Sequence, residues 1–175
     1  MNVRKMARCA LFSALLCLCA WISVPVGDNF ITLQTLGIFL CLGLLGGKWG
    51  TVSICIYLLL GCVGLPVFSG FRGGAGVLLD TTGGYLVGFL LTGVAYWVLT
   101  ALFGTGKKIR ILCWLIGLIL CYAFGTAWFY RLYLTSGGSG SVWVVVIKCV
   151  LPYILPDLAK LAAAHFLTER LQKFV

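Results

Sequence analysis

Long apolar runs recur along the whole chain, and they restrict its fold more than any other feature. Hydrophobic residues make up 62% of the 175 residues and charged residues only 10%, and the mean hydropathy is +1.11. A helix of about 20 apolar residues crosses the roughly 30 Å hydrocarbon core of a bilayer. Because such runs leave no room for a separate soluble domain, we predict one all-α domain over residues 1–175, with several crossings of the cell membrane.

Glycine, proline and polar stretches divide this apolar sequence into six predicted transmembrane helices. They cover residues 6–26, 36–47, 49–64, 85–103, 109–134 and 156–173. The second and third are too short to cross a bilayer unaided, which predicts tilting, local thinning or a re-entrant segment. The turn formers Pro25, Gly27 and Asp28 end the first helix. The glycine-rich stretch 65–84 predicts a long outer loop between the third and fourth helices.

The C-terminal region is open to two interpretations. The sequence "VWVVVIKCVLPYILPDLAKLAAAHFLTERLQKF" predicts either one long kinked helix or a short interfacial piece followed by a shorter helix. Pro152 and Pro156 favour the second, because proline is tolerated in the first helical turn, whose N–H groups lack partners. A helix that begins at Pro156 places Asp157 and Lys160 in its first turn, on the outer side.

Basic residues separate the apolar runs instead of forming one patch. Nine of the 13 lysines and arginines do so, and they are Arg4, Lys5, Arg8, Lys48, Lys107, Lys108, Arg110, Arg170 and Lys173. A nucleic-acid-binding protein gathers its basic residues on one water-facing surface, so the net charge of +9 does not indicate nucleic acid as a partner. The positive-inside rule instead predicts cytoplasmic N and C termini, and therefore an even number of crossings of the lipid bilayer.

The sequence contains no motif for catalysis, ATP hydrolysis or metal binding. The glycine-lysine pairs in "GGKWG" and "GTGKKI" lack the upstream glycine and the Ser or Thr of a P-loop, so we expect no intrinsic ATPase activity. No serine elbow, H-E-x-x-H or catalytic carboxylate pair is found, which argues against an enzyme. The nine cysteines lie mostly in apolar runs without a C-x-x-C pair, and His165 has only Glu169 at ligand spacing. We therefore predict buried cysteines, a packed or snorkelling histidine, and no metal or cofactor.

Asp157 and Lys160 are the clearest candidates for a functional site. An ionisable side chain inside a membrane span costs about 2.5–3.5 kcal/mol on insertion scales, so it is rarely incidental. At positions i and i+3 the two residues share a helical face. They form either an ion pair that only pins two helices together or part of a polar cavity. Five further polar residues on the predicted outer side favour the cavity, and these are Thr32, Gln34, Arg72, Asp80 and Tyr85.

Such a cavity suits a ligand with a hydrogen-bonding head and an anionic tail. Asp157 accepts N–H groups, whereas Lys160 or Arg72 meets a carboxylate. Aromatic residues on the same side either form the apolar walls of the cavity or anchor the chain at the membrane interface. They are Phe68, Phe71 and Tyr85.

Small residues four positions apart allow two helices to approach closely. The pairs are Gly43 and Gly47, Gly46 and Gly50, Gly84 and Gly88, and Ala10 and Ala14. Packing within one bundle is the commoner reason for such a pair. Spacing alone does not reveal which pair faces another protein.

Three stretches carry a family resemblance in combination. They are "ITLQTLGIFLCLGLLGG" (31–47), "PVFSGFRGGAGVLLDTTGGYLVGFL" (66–90) and "LPYILPDLAKLAAA" (151–164). Their G-G-Y-L-x-G-F element and the D-x-x-K that follows proline resemble the BioY family, the biotin-specific substrate-binding components of energy-coupling-factor transporters. The resemblance covers nearly the whole chain, with six spans in the same order.

The resemblance implies a six-helix membrane protein that captures biotin outside the cell. It also implies two kinds of partner, a transmembrane coupling protein and two cytosolic ATPase subunits. Asp157 and Lys160 match the D-x-x-K of the family's biotin site, Tyr85 the glycine-tyrosine element and Gln34 the T-L-Q-T loop. The complete predicted substrate-binding set is Thr32, Gln34, Phe68, Arg72, Tyr85, Asp157 and Lys160.

Ala10 and Ala14 match the A-x-x-x-A face that these components turn toward the coupling protein. Two positions depart from the family pattern. Pro156 is followed directly by Asp157, where the family usually has a P-G-D turn, and Asp80 occupies a position where a small residue is usual. The start of the last helix and the role of Asp80 therefore stay open at this stage.

Two other classes of function are compatible with the sequence. One is a sibling carrier of the same architecture for thiamin or riboflavin. The other is a structural membrane subunit or an intramembrane enzyme, in which Asp157 would serve assembly or turnover instead of vitamin uptake.

Overall fold

The computed structural model describes residues 3–26, 29–137 and 141–173, and these residues are mostly helical. The helices are α1 (Val3–Trp21), α2 (Gln34–Cys62), α3 (Ala75–Leu79), α4 (Gly83–Phe103), α5 (Lys107–Thr135), α6 (Val142–Cys149) and α7 (Leu151–Leu171). The connection between α1 and α2 contains the strands β1 (Ser23–Val26) and β2 (Asn29–Thr32). A short 3-10 turn, Ser69–Phe71, precedes α3.

The antiparallel pair β1 and β2 is an addition to the predicted helical fold, and α1 is shorter than the predicted first helix. Val24 pairs with Ile31 across the two strands. β-Branched side chains favour extended backbone, and Pro25 has no N–H with which to continue the helical hydrogen bonds. The predicted turn formers Gly27 and Asp28 lie outside the described residues.

Several helices have the length and apolar composition of membrane spans. Within the described ranges, α2, α4 and α5 each qualify, and a fourth span is obtained if α6 and α7, which meet at a bend of 41°, are counted together. α1 carries Arg4, Lys5 and Arg8 in its first turns.

Gly46 divides α2 into two halves that pack side by side. Its backbone, with φ 77° and ψ 172°, is not helical, and a positive φ of this size favours glycine. Cys41 Sγ donates to the carbonyl of Gly50 at 3.6 Å, whereas residues nine apart in a straight helix are about 13.5 Å apart. The chain therefore reverses at Gly46, two residues before the predicted break at Lys48 between helices 36–47 and 49–64.

α1 packs along both halves of α2. Ser13 donates a hydrogen bond to the backbone carbonyl of Ser53 in the second half, at 2.9 Å. Near the other end of α1, a Cβ added to Gly37 would lie 3.1 Å from Cys19 Sγ. Ala10 and Ala14 point away from these contacts and are exposed.

Trp114 of α5 lies fully buried at the centre of the core. Its ring centroid is 5.5 Å from that of Phe39 and 6.3 Å from that of Tyr96. Offset and tilted aromatic pairs of this kind stabilise a core beyond the area that they bury. They join α2, α4 and α5 into one bundle.

The paired glycines serve close packing inside the bundle. A Cβ on Gly43 would lie 2.8 Å from Thr168 Oγ1, and one on Gly47 would lie 2.5 Å from the Cα of Trp97. Gly88 of α4 faces α5, where an added Cβ would lie 2.7 Å from Cys121 Sγ and 3.0 Å from Cys121 Cα. These glycines therefore set the distances between α2, α4, α5 and α7.

Gly88→Ala is expected to destabilise the protein, because the new methyl group would push α4 away from the backbone of α5. Overpacking a close contact costs about 1–3 kcal/mol, so the thermal unfolding midpoint in detergent should fall. Gly76→Ala is the matched control, since nothing lies within 4 Å of the added Cβ. Equal stability of the two variants would contradict the close contact between α4 and α5.

The last helix begins earlier than predicted. α7 starts at Leu151 and has Pro152 in its first turn, whereas Pro156 lies inside the helix. The break falls at Val150, where α6 ends and the chain bends. Pro152 occupies the position in which a missing N–H breaks no helical hydrogen bond. Asp157 therefore lies in the second turn of α7 and not in the first.

A polar cluster joins the start of α5 to the end of α7. Arg110, only 3% exposed, donates to the carboxylate of Glu169, and Lys107 forms a second ion pair with it. The guanidinium also lies 3.2 Å from His165 Nδ1 and 5.6 Å from the centroid of the Trp114 ring. This cluster marks the end of the bundle opposite the hairpin.

Candidate functional site

A cavity lies at the end of the bundle that carries the hairpin β1–β2. Counted out to its open mouth, with open solvent included, it holds about 820 Å³ of space. Apolar side chains form much of its wall, and they include Phe30, Val77, Leu86, Phe89 and Leu118. The polar lining includes Thr32, Gln34, Thr35, Ser69, Arg72, Thr82, Tyr85, Tyr122, Tyr153, Asp157 and Lys160.

Asp157 is the polar centre of this cavity and is only 4% exposed. Its carboxylate accepts hydrogen bonds from Thr35 at 2.8 Å, Tyr122 at 2.5 Å and Lys160 at 2.7 Å. These donors come from α2, α5 and α7, so one carboxylate links three helices. A carboxylate has about four lone-pair sites, and one further N–H donor from a ligand can therefore be accommodated.

Lys160 balances the charge of Asp157 within the cavity wall. One helical turn separates the two residues, and the lysine side chain is 11% exposed. A buried charge requires a partner and hydrogen bonds, because transfer out of water carries a large desolvation cost. The pair leaves two of the three ammonium N–H groups without a described hydrogen bond, and these can donate to a ligand acceptor.

Gln34 is fixed in orientation at the start of α2. Its side-chain amide donates to the hydroxyl of Tyr57 at 2.7 Å, and its carbonyl oxygen accepts a bond from the hydroxyl of Thr32 at 2.8 Å. Because both the oxygen and the nitrogen of the amide are hydrogen-bonded, the side chain is held in one orientation at the cavity wall. Tyr85 lies on the wall formed by α4, with its hydroxyl 3.3 Å from that of Thr126.

Arg72 brings a second cation to the cavity from the stretch 65–84. Its Nη1 is 3.4 Å from a carboxylate oxygen of Asp80, and its Nε donates to the carbonyl of Ser69 at 3.3 Å. The side chains of Arg72 and Asp80 are 37% and 46% exposed, and an exposed ion pair contributes only about 0–1 kcal/mol. A ligand carboxylate can therefore compete with Asp80 for the guanidinium.

Two tryptophans attach the stretch 65–84 to the bundle. Trp21 at the end of α1 donates to the carbonyl of Pro66 at 2.8 Å, and Trp128 of α5 donates to the carbonyl of Asp80 at 3.1 Å. Between these attachments lie the 3-10 turn and α3, so the predicted irregular loop contains one short helix. The stretch forms one side of the cavity.

The structure does not bring the predicted Phe68 to the cavity. Its side chain is 0% exposed and packs edge-on against Tyr57, with ring centroids 5.6 Å apart. Phe71 also lies outside the cavity lining, stacked on Trp21 with centroids 5.4 Å apart. The other six residues of the predicted set all line the cavity, and these are Thr32, Gln34, Arg72, Tyr85, Asp157 and Lys160.

Five polar lining residues were missed by the sequence analysis, and these are Thr35, Ser69, Thr82, Tyr122 and Tyr153. Thr35 directly follows Gln34 and donates to Asp157, so its position in the T-L-Q-T element was a usable signal. Tyr122 and Tyr153 lie within apolar runs, where a tyrosine is usually taken as packing. Only the crossing of α5 and α7 shows that Tyr122 reaches Asp157.

Comparison with known proteins shows the same architecture elsewhere. The crystal structure of an S-component for biotin from an ECF-type ABC transporter superposes with a TM-score of 0.85 at 28% sequence identity, covering 99% of this chain and 93% of that one. The probable biotin transporter BioY of Pyrococcus horikoshii is 38% identical over 173 residues, 98% of each chain. The biotin transporter BioY of Thermotoga maritima is 34% identical over 176 residues, 98% of this chain and 97% of the relative.

The fold and the cavity define a multi-pass helical membrane protein of the S-component class, which binds a small molecule instead of catalysing a reaction. The BioY family matches residues 1–175. The chain therefore belongs to the BioY family, which confirms the family predicted from its sequence.

Proposed function

We propose that this chain captures biotin and serves biotin uptake as the substrate-binding component of an ECF-type transporter. The observation that carries the proposal is the buried carboxylate of Asp157, paired with Lys160 at the wall of a cavity that combines apolar and polar side chains. The relatives named as biotin transporters, and the S-component for biotin that shares the fold, support the choice of ligand.

The chemistry of biotin suits the lining of this cavity. Its ureido group offers two N–H donors and one carbonyl, its thioether ring and chain are apolar, and its tail ends in a carboxylate. We infer that Asp157 accepts a ureido N–H, and that Lys160 or Arg72 meets the carbonyl or the carboxylate. Thr32, Gln34 and Tyr85 complete the proposed binding residues. Phe68 does not contact the ligand in this proposal and only packs against Tyr57.

We further propose six crossings, with both termini in the cytoplasm. The two halves of α2 count as two crossings. The other four are α1, α4, α5 and the α6–α7 region. Lys5 and Lys48 both lie over the ring of Trp49, at the end of the bundle where Arg110 pairs with Glu169. The positive-inside rule assigns this end to the cytoplasm, which leaves the cavity facing outward.

Energy for uptake would come from partner subunits, a transmembrane coupling protein and two cytosolic ATPases. Ala10 and Ala14 support a contact with the coupling protein, since both are exposed on one face of α1. Two small residues one turn apart allow another helix to approach the backbone closely.

Isothermal titration of the purified protein with biotin tests the proposal directly. We expect saturable binding at one site, and in competition neither thiamin nor riboflavin should displace biotin. Displacement by either vitamin would indicate a sibling carrier. Titration heat indistinguishable from that of buffer would rule out biotin capture.

A further inference from the structure

Tyr153 carries a buried hydroxyl group at the wall of the cavity. Its side chain lines the cavity from α7, one helical turn before Asp157. The hydroxyl oxygen is buried, and none of the residues that the structure describes forms a hydrogen bond with it. A buried hydroxyl without a partner has lost its hydration with no hydrogen bond in return.

Two polar neighbours of Tyr153 in the cavity wall, Asp157 and Tyr85, already have partners of their own. Asp157 accepts bonds from Thr35, Tyr122 and Lys160, and the hydroxyl of Tyr85 lies against Thr126. The partner of Tyr153 is therefore to be sought in whatever fills the cavity. A phenol hydroxyl can donate one hydrogen bond as well as accept, whereas an ionised carboxylate can only accept.

We propose that the hydroxyl of Tyr153 donates a hydrogen bond to the ureido carbonyl of the bound ligand; this inference depends on the proposed function. Residues four apart on a helix lie about 5–6 Å apart between Cβ atoms on one face. Tyr153 and Asp157 thus present a donor beside an acceptor. The edge of a cyclic urea presents the complement, a carbonyl beside an N–H group.

The consequence is a preference for ligands that carry this edge. A site built to hydrogen-bond a polar group rejects an analogue without it, because the site's own buried group is then left unpaired. Tyr153 would therefore be a specificity-determining residue, with a contribution separable from that of the ion pair between Asp157 and Lys160.

Tyr153→Phe tests the inference, because it removes the hydroxyl and keeps the ring. Biotin affinity measured by isothermal titration should fall about fivefold to tenfold, as expected for one neutral hydrogen bond. The thermal unfolding midpoint of the ligand-free protein should stay the same or rise, since the hydroxyl has no partner there. A residue that only supports the fold would show the opposite pattern, a lower midpoint with unchanged affinity.

Tyr133→Phe is the matched control, because Tyr133 of α5 does not line the cavity. The biotin affinity of this variant should equal that of the unchanged protein.

Titration with biotin methyl ester identifies the group of the ligand that Tyr153 contacts. An equal loss with biotin and with its ester places the contact on the ring, as proposed, whereas a loss confined to biotin would overturn that assignment. If the unchanged protein binds biotin and Tyr153→Phe binds equally well, this inference alone fails; if the unchanged protein does not bind, the proposed function fails with it.

Discussion

Asp157→Asn is expected to weaken biotin binding by about 10- to 100-fold, because a hydrogen bond to a charged acceptor contributes about 1.5–3 kcal/mol. The substitution keeps the size of the side chain and removes its charge. It also replaces one acceptor oxygen with an NH2 group, so either the bonds that Thr35 and Lys160 donate to Oδ1 or the bond that Tyr122 donates to Oδ2 lose their acceptor. Isothermal titration in detergent measures the change.

Glu169→Gln is the matched control for this acid-to-amide change. Glu169 is ion-paired with Arg110 and Lys107 at the opposite end of the bundle, so its loss should affect stability and leave the biotin affinity within about threefold. Gel filtration and thermal unfolding establish that both variants are folded. Unchanged affinity in Asp157→Asn would remove the main support for the proposed site.

Ala10→Trp is expected to abolish co-purification with the coupling protein while biotin binding survives. Ala10 and Ala14 are exposed and have small side chains, so another helix can approach the backbone of α1 there. An indole at position 10 would keep that helix at a greater distance. Co-expression with the coupling protein and the two ATPases, followed by affinity purification through this chain, measures the loss. Biotin titration of the variant alone reports whether the cavity is intact.

Val98→Trp is the control for a bulky aromatic residue elsewhere on the lipid-facing surface, since Val98 of α4 is 50% exposed. This variant should retain the complex. If Ala10→Trp lost biotin binding together with the complex, α1 would contribute to the fold at this position and not to a partner interface. Retention of the complex by Ala10→Trp would place the interface elsewhere.

The local features of the chain were predictable from residue type and spacing. Apolar runs of bilayer length require helices, because backbone groups in lipid must be paired within their own segment. The helix pair on either side of Gly46 followed from clustered glycines, and the importance of Asp157 and Lys160 followed from the cost of charge in a membrane. These inferences depend on near neighbours in the sequence.

Other local expectations were wrong because tertiary and turn effects compete with hydropathy. The first helix was predicted to continue through the apolar residues after Trp21. In the structure, Pro25 and the β-branched residues around it form a strand instead. Pro156 was expected to begin the last helix, yet Pro152 fills the first turn and the bend falls at Val150. Hydropathy does not distinguish these backbone conformations.

The composition of this chain is sufficient to predict a helical membrane protein and to identify its few ionisable groups as candidates for the functional site. Which groups meet was decided by the crossing of helices distant in sequence. Thr35 and Tyr122 converge on Asp157 from separate helices, whereas Phe68 turns into the core against Tyr57. Periodicity fixes the face of a helix on which a side chain lies, but the partner on that face depends on how closely and at what angle the helices pack. Here glycines such as Gly88 set that distance.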